Sequence, residues 1–272
     1  MRSVKIKEVI DALERFAPLP LQESYDNAGL QVGLTEAEVS GALLCLDVTE
    51  RVVDEAITKG CNLIVAHHPL IFRKLSQVTD ANYVQRTVIK AIKNDIVIVA
   101  MHTNLDATFG GVNFKIAEKL RLRDVRFFGR EKVVTNPLTD KKVTGGDGVI
   151  GCFDTPLAAD DLILLLKKEF DVECVQANEL LRREIQTVAL CGGSGSFLLQ
   201  DAINAGADAF ITGEMGYHEF FGHEQEIQLC VIGHYQSEQY TTEVLRDVIE
   251  RDCPGVKCCI SEINTNPIVY FS

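Results

Sequence analysis

Residues 41–68, GALLCLDVTERVVDEAITKGCNLIVAHH, decide the fold. Two continuous apolar runs, GALLCL (41–46) and NLIVA (62–66), flank a segment of helical period from Glu50 to Lys59. Runs of Val, Ile and Leu without polar alternation are strands covered on both faces, as in helix-flanked sheets. Further on, residues 83–93 repeat the helical period, and IVIVAM (96–101) supplies a third strand of the same kind. The fold class is α/β.

Residues 187–214, TVALCGGSGSFLLQDAINAGADAFITGE, repeat the plan. A shift of 146 residues takes Leu44 to Leu190. Without a gap it also matches Cys45 with Cys191, Ala56 with Ala202, Ile57 with Ile203 and Gly60 with Gly206. Beyond these blocks IVIVAMHTNLD faces LCVIGHYQSE, with His102 on His234 at a shift of 132. Each copy therefore ends a strand with a histidine and sets a carboxylate four residues later: His102 and Asp106, His234 and Glu238. The expected architecture is two similar, intertwined α/β lobes with a cleft between them, residues 1–128 and 129–272, the C-terminal elements packing back onto the first lobe. Residues 121–148, polar and rich in turn formers, read as the join, and the N-terminal MRSVKIKEVIDALERF reads as an amphipathic helix.

Composition narrows the function. The chain has 272 residues, 46% hydrophobic and 24% charged, which is globular rather than disordered. Asp plus Glu outnumber Lys plus Arg by 39 to 27, a net charge of −12, whose field repels nucleic-acid phosphates and anionic lipid. No apolar run has the length of a membrane span, and the charged N-terminal segment lacks the uninterrupted apolar core of a signal peptide. The nine cysteines are odd in number and scattered, with no C-x-x-C pair, which argues against a disulfide framework and against a Cys-based zinc site. Cys258 and Cys259 read as a strand with one thiol buried. The expected location is cytoplasmic.

Four of the six histidines, His67, His68, His102 and His234, stand at the ends of apolar runs. Ligands of open α/β sheets gather beyond the carboxyl ends of strands, so these positions converge if the strands are neighbours. Successive strand residues point to opposite faces. His67 and His68 therefore share a centre only if the chain turns there, which Pro69 favours; otherwise each serves a different ion. Four imidazoles with Asp106 and Glu238 are more donors than one ion needs. They suit two divalent ions, among which Zn, Fe, Mn, Co and Ni fit nitrogen and oxygen donors and remain undistinguished.

Other polar positions flank these. Gly192, Gly193 and Ser194, in GGSGS between a strand and a helix, read either as an anion or cofactor cradle of backbone N–H groups or as a flexible turn. Asp47 and Thr49 follow the first strand of copy one and reach the expected cleft. Glu214 ends the strand that mirrors His67 and His68. Asp26 and Asn27 read as an ordered loop with a structural cap, and His218 and His223 as rim residues.

The stretches SYDNAGLQVG, LLCLDVT, NLIVAHHPLIF, MHTNLDA, ADAFITGE and VIGHYQSE together resemble the Nif-three-like family, dinuclear metal-centre proteins often labelled GTP cyclohydrolase I type 2 homologues. The resemblance spans almost the whole chain, in the compact form with only a short linker where larger members insert a domain. It implies toroidal homohexamers and a dinuclear centre held by His67, His68, Asp106, His234 and Glu238, with Glu238 bridging and His102 in the second sphere. A role for His218 falls outside the shared pattern.

The expected function is a metal-dependent hydrolase of a small phosphorylated or nucleotide-like substrate, with His102 or Glu214 moving the proton. The competing reading is a non-enzymatic metal-binding adaptor or metallochaperone acting through a ring-shaped oligomer. No membrane or nucleic-acid partner is expected.

Overall fold

The structure, a computed structural model, describes residues 3–271. The chain divides into two compact units. The first holds residues up to Thr108 together with Val134–Val143 and Thr241–Ile268; the second holds Phe109–Val133, Thr144–Tyr240 and the residues from Val269. The boundary expected at residue 128 falls inside a strand, β5 (Arg123–Thr135).

Unit one begins with α1 (Ile6–Phe16), in which Ile6, Val9, Ile10 and Leu13 recur at helical spacing and are buried. Met1 and Arg2, at the start of the expected helix, lie outside the described residues. There follow β1 (Gly29–Val32), β2 (Ala42–Cys45), α2 (Glu50–Lys59), β3 (Leu63–Ala66), α3 (Tyr83–Lys93), β4 (Val97–Ala100) and a single turn, α4 (Thr103–Asp106). After an excursion through unit two, the chain returns as α9 (Thr241–Asp252), which packs on α1, and β11 (Cys258–Ile260). The sheet order is β1-β4-β3-β2-β11. β2, β3 and β4 are buried at every position, as continuous apolar runs require. Leu43, Ile64 and Ile98 pack with Val52, Val53 and Ala56 of α2. Cys258 and Cys259 lie in a strand, β11, as expected, but both are half-buried where one buried thiol was expected.

Unit two carries α5 (Val112–Lys119), β5, β6 (Lys142–Leu157), α6 (Ala159–Phe170), β7 (Gln176–Ala177), β8 (Ile185–Cys191), α7 (Leu199–Asn204), β9 (Ala209–Thr212), β10 (Gln228–Val231) and the short α8 (His234–Glu238). Its sheet order is β5-β6-β8-β9-β10-β7. Its core gathers Phe128, Ile150, Ala189, Leu198, Phe210 and Leu229.

Strand register makes the duplication explicit. Ala42 pairs with Leu63 and Cys45 with Ala66; 146 residues on, Val188 pairs with Ala209 and Cys191 with Thr212. The third strand repeats at a shift of 131: Leu63 pairs with Val97 as Ala209 pairs with Gln228. In each unit a short antiparallel strand, β1 or β7, closes the same edge. The opposite edges differ, since β11 runs parallel to β2 whereas β6 runs antiparallel to β8.

The join departs from its sequence reading. Residues 123–157 are two long strands, not a linker, and residues 134–143 at the ribbon's tip belong to unit one. There Asn136 Nδ2 donates to the carbonyls of Glu14 (3.2 Å) and Arg15 (3.1 Å). β5 buries only Phe128 and is otherwise exposed or half-buried, so it carries the polar composition of a linker and composition alone does not separate the two.

Local signals set the helix ends. Thr49 Oγ1 accepts from Val52 N (3.3 Å) to cap α2, and Gly60 closes it at φ +69°. Replacing Thr49 by Ala is expected to lower unfolding free energy by about 1 kcal/mol with an unchanged urea m-value, measured by equilibrium denaturation.

Candidate metal centre

The carboxyl ends of β3 and β4 assemble a cluster of imidazoles in unit one. His67 and His68 continue the pairing with β2, their N–H groups donating to the carbonyls of Cys45 (3.1 Å) and Leu46 (2.9 Å). Their ring centroids are 4.8 Å apart, so adjacent residues serve one cluster and the chain leaves regular strand here, as Pro69 suggests. The His102 ring lies 5.4 Å from each of them. One ring nitrogen from each of the three lies within 4.8 Å of the others.

Each ring is held by its Nδ1. His67, fully buried, donates to the carbonyl of Met101 (2.8 Å). His68 donates to Asp47 Oδ1 (2.7 Å), and Asp47 Oδ2 accepts from Thr265 Oγ1 (2.6 Å). His102 donates to Asp26 Oδ1 (2.7 Å), whose other oxygen accepts from Thr103 N (3.1 Å) and from the Thr103 hydroxyl. A carbonyl or carboxylate only accepts, so Nδ1 carries a proton in all three rings, and Nε2 is the ring nitrogen that faces away from these acceptors. His102 is further fixed by its N–H on Asn104 Oδ1 (3.0 Å), while Asn104 Nδ2 donates to the Ala17 carbonyl (2.7 Å).

The supporting carboxylates are held ionised. For Asp26, burial opposes ionisation most strongly. The hydrogen bonds from His102 and Thr103 and the charge of His102 outweigh it, and the carboxyl falls to about 2. For Asp47, burial again opposes, and the His68 and Thr265 hydrogen bonds with the charges of His68 and His67 bring it below the usual range.

In unit two the corresponding strand ends hold His234 between two acids. Its Nδ1 donates to Glu214 Oε1 (2.9 Å), and Glu214 Oε2 accepts from Ser194 Oγ. The Ser194 hydrogen bond is the main influence lowering the Glu214 carboxyl, with His234 adding to it. His234 Nε2 lies 3.0 Å from Oε2 of Glu238, a residue only 4% exposed.

The GGSGS loop is spent on support. Gly192 N donates to Asn113 Oδ1 (2.9 Å), Gly193 N to Ser237 Oγ (2.9 Å) and Gly195 N to Thr212 Oγ1 (3.1 Å). Gly193 sits at φ +58°, and a Cβ there would come 2.3 Å from Glu238 Oε1. Glycine at 193 is what lets Glu238 lie where it does.

The donor chemistry suits divalent cations. Nε2 of His67 lies 3.5 Å from Asp106 Oδ1, and Nε2 of His234 lies 3.0 Å from Glu238 Oε2. At such separations a ring nitrogen and a carboxylate oxygen can share a metal ion, or a proton when the ring is charged. Two ligands of one tetrahedral ion with Zn–N bonds of about 2.0–2.1 Å sit about 3.3 Å apart, which the two separations bracket.

Within unit one the structure thus gathers His67, His68, His102 and Asp106; within unit two it gathers His234, Glu238, Glu214, Gly193 and Ser194. His218 is exposed among Tyr217 and Phe221, and His223 pairs with Glu226 (2.9 Å) on the same connection. Sequence reading reached Asp26 and Asp47 as loop residues, not as partners of histidines. It missed Thr103, Asn104 and Thr265, whose partners are set by tertiary structure and leave no local pattern.

Fold and clusters define a class: an α/β protein with two mixed sheets that share a duplicated three-stranded parallel core, with imidazoles and acids gathered at the strand ends of each copy. The chain belongs to the Duf34/NIF3 (NGG1p interacting factor 3) family, whose profile matches residues 4–267. A Clostridium perfringens relative named GTP cyclohydrolase 1 type 2 homolog is 33% identical over 271 residues, covering 98% of this chain and all of the relative. One of the same name from Clostridium acetobutylicum is 32% identical over 251 residues, covering 91% of this chain and 90% of the relative. Among solved structures, a Staphylococcus aureus hypothetical protein superposes with a TM-score of 0.88 at 28% identity, covering 99% of this chain and all of the other. A Bacillus cereus protein related to NIF3 superposes at 0.86 and 24% identity over the whole of both chains, and shares the fold.

Two expectations follow from this geometry. Gly60, at φ +69° with open space around it, is expected to tolerate Ala at a cost of about 1 kcal/mol, whereas Gly193→Ala adds a clash with Glu238 and costs more, about 2–4 kcal/mol; denaturation of the two variants compares them. The folded Asp26 pKa lies below the unfolded value of about 3.9, so its contribution is complete above about pH 5 and is lost as pH falls toward 2. The difference in unfolding free energy between metal-free wild type and Asp26→Asn should shrink over that interval.

Proposed function

We propose that His67, His68 and Asp106 of unit one and His234 and Glu238 of unit two are ligands of divalent metal ions, two per chain, and that the protein is a metal-dependent hydrolase of a small phosphorylated or nucleotide-like substrate. One observation carries the reading. Every strand-end histidine donates through Nδ1 to a protein acceptor, and Nε2 of His67 and of His234 faces a carboxylate oxygen at 3.5 and 3.0 Å, a pairing that a shared divalent cation would satisfy. The family membership and the relatives' name, GTP cyclohydrolase 1 type 2 homolog, support the class of reaction.

Ions bound by these donors would supply Lewis acidity and an acidified water near neutral pH. His102 takes the proton. Its Nε2 lone pair accepts it, and ionised Asp26 on Nδ1 stabilises the imidazolium that results. Glu214 has one oxygen on Ser194 and the other on His234, so it orients His234 instead of carrying protons. Beside His102, Phe72 and Tyr25 form an exposed edge-to-face pair (centroids 6.4 Å), with the Phe72 ring 6.2 Å from His102. Such a wall suits the planar ring of a base. The net charge of −12 does not bar an anionic substrate, because bound cations dominate the field around them.

A second reading, a non-enzymatic metal-binding adaptor or metallochaperone, draws on the family's description as an interacting factor. Metal analysis with turnover assays separates the two. Wild type should carry about two ions per chain, sharply reduced in His67→Ala and Glu238→Gln at unchanged folding, with turnover of GTP or another phosphorylated compound that falls in parallel. Metal retention without turnover across a broad panel favours the adaptor. Fewer than about one ion per chain after repletion rejects both.

A further inference from the structure

Three histidines share one arrangement: Nδ1 on one oxygen of a carboxylate, and a hydroxyl on the other oxygen. They are His102–Asp26–Thr103, His234–Glu214–Ser194 and His68–Asp47–Thr265. In the first, the hydroxyl belongs to the residue after the histidine. In the second it comes from the loop after β8. In the third it comes from a segment beyond β11 that has no regular secondary structure.

That segment is nonetheless fastened. Ser261 N donates to the Leu44 carbonyl (2.8 Å), extending the β11 pairing. Ser261 Oγ and Glu262 N (2.8 Å) both donate to the Glu55 carboxylate. Lys59 bridges Glu55 (2.8 Å) and Glu262 (3.0 Å), and Ile263 packs on the core of unit one. Two residues later Thr265 reaches Asp47.

We propose that Thr265 is a positioning residue of the metal centre: its hydroxyl fixes the plane of the Asp47 carboxylate and, through it, the orientation of the His68 ring. The inference rests on the reading of His68 as a metal ligand and extends it to residues 261–268. A carboxylate held only by His68 is free to turn about its Cβ–Cγ bond, and the imidazole turns with it. A second bond from a different part of the chain removes that freedom. Valine at 265 keeps the volume of threonine and deletes the hydroxyl; serine keeps the hydroxyl and deletes the methyl.

The test is a double-mutant cycle on metal affinity, read by competition of Zn(II) against a chromophoric chelator, with thermal melting of the metal-free proteins as the folding control. Asp47→Asn is expected to weaken binding by about 10–100-fold, and Thr265→Val by roughly 3–10-fold, with Thr265→Ser close to wild type. In the Asp47→Asn background Thr265→Val should add nothing, because its route to the metal is already cut. If Thr265→Val weakens binding equally in both backgrounds, or not at all while Asp47→Asn does, the positioning role is overturned and the metal ligands stand. If wild type itself holds no zinc, the proposed centre fails and takes this inference with it.

Discussion

An imidazole presents one nitrogen to a metal reliably only when its other nitrogen is held. That constraint organises both units. Each strand-end histidine delivers its Nδ1 proton to an acceptor chosen by the fold: a main-chain carbonyl for His67, and carboxylates for His68, His102 and His234. The carboxylates are in turn fixed by hydroxyls, and hydrogen bonding holds them ionised. The sheets supply the rigid ends from which these residues project, so the chemistry of the centre is set by what surrounds the ligands as much as by the ligands.

The two copies use one template to opposite ends. In the shared register His68 corresponds to Glu214 and Asp47 to Gly193. Unit one thus places an imidazole at the strand end and its carboxylate partner on the neighbouring loop. Unit two places the carboxylate at the strand end and a glycine, Gly193, at the matching loop position. The missing side chain at 193 leaves the space that Glu238 fills, and the strand-end carboxylate grips His234. The one-residue difference between the shifts of 131 and 132 is taken up after β10, where Gly233 adopts φ +94° before α8 begins. Duplication followed by exchange of donor types yields one unit rich in imidazole and another in which two acids flank a single histidine.

Much of this was legible in the amino-acid order. Continuous apolar runs gave β2, β3 and β4, helical spacing gave α2 and α3, and identities at a shift of 146 anticipated a register that the strand pairings reproduce. The histidines stood out because each interrupts an apolar run at its carboxyl end. Other features were hidden for physical reasons. β5 buries only Phe128 and is otherwise exposed or half-buried, so its composition imitates a linker. β11 has only three residues, too few for a period to show its pairing with β2. Asp26 lies 76 residues from His102, and Thr265 lies 218 from Asp47. No local pattern encodes such a pairing; it exists only once the sheet has brought the loops together.

The anomalous difference map of a crystal loaded with one divalent transition metal bears most directly on the centre. Peaks for about two ions per chain, bonded through Nε2 of His67 and His68 in unit one and of His234 in unit two with Nδ1 still on the acceptors described above, would bear out metal binding by locked imidazoles. A lone peak elsewhere on the surface, or ligation through Nδ1 with the carboxylate partners displaced, would contradict it.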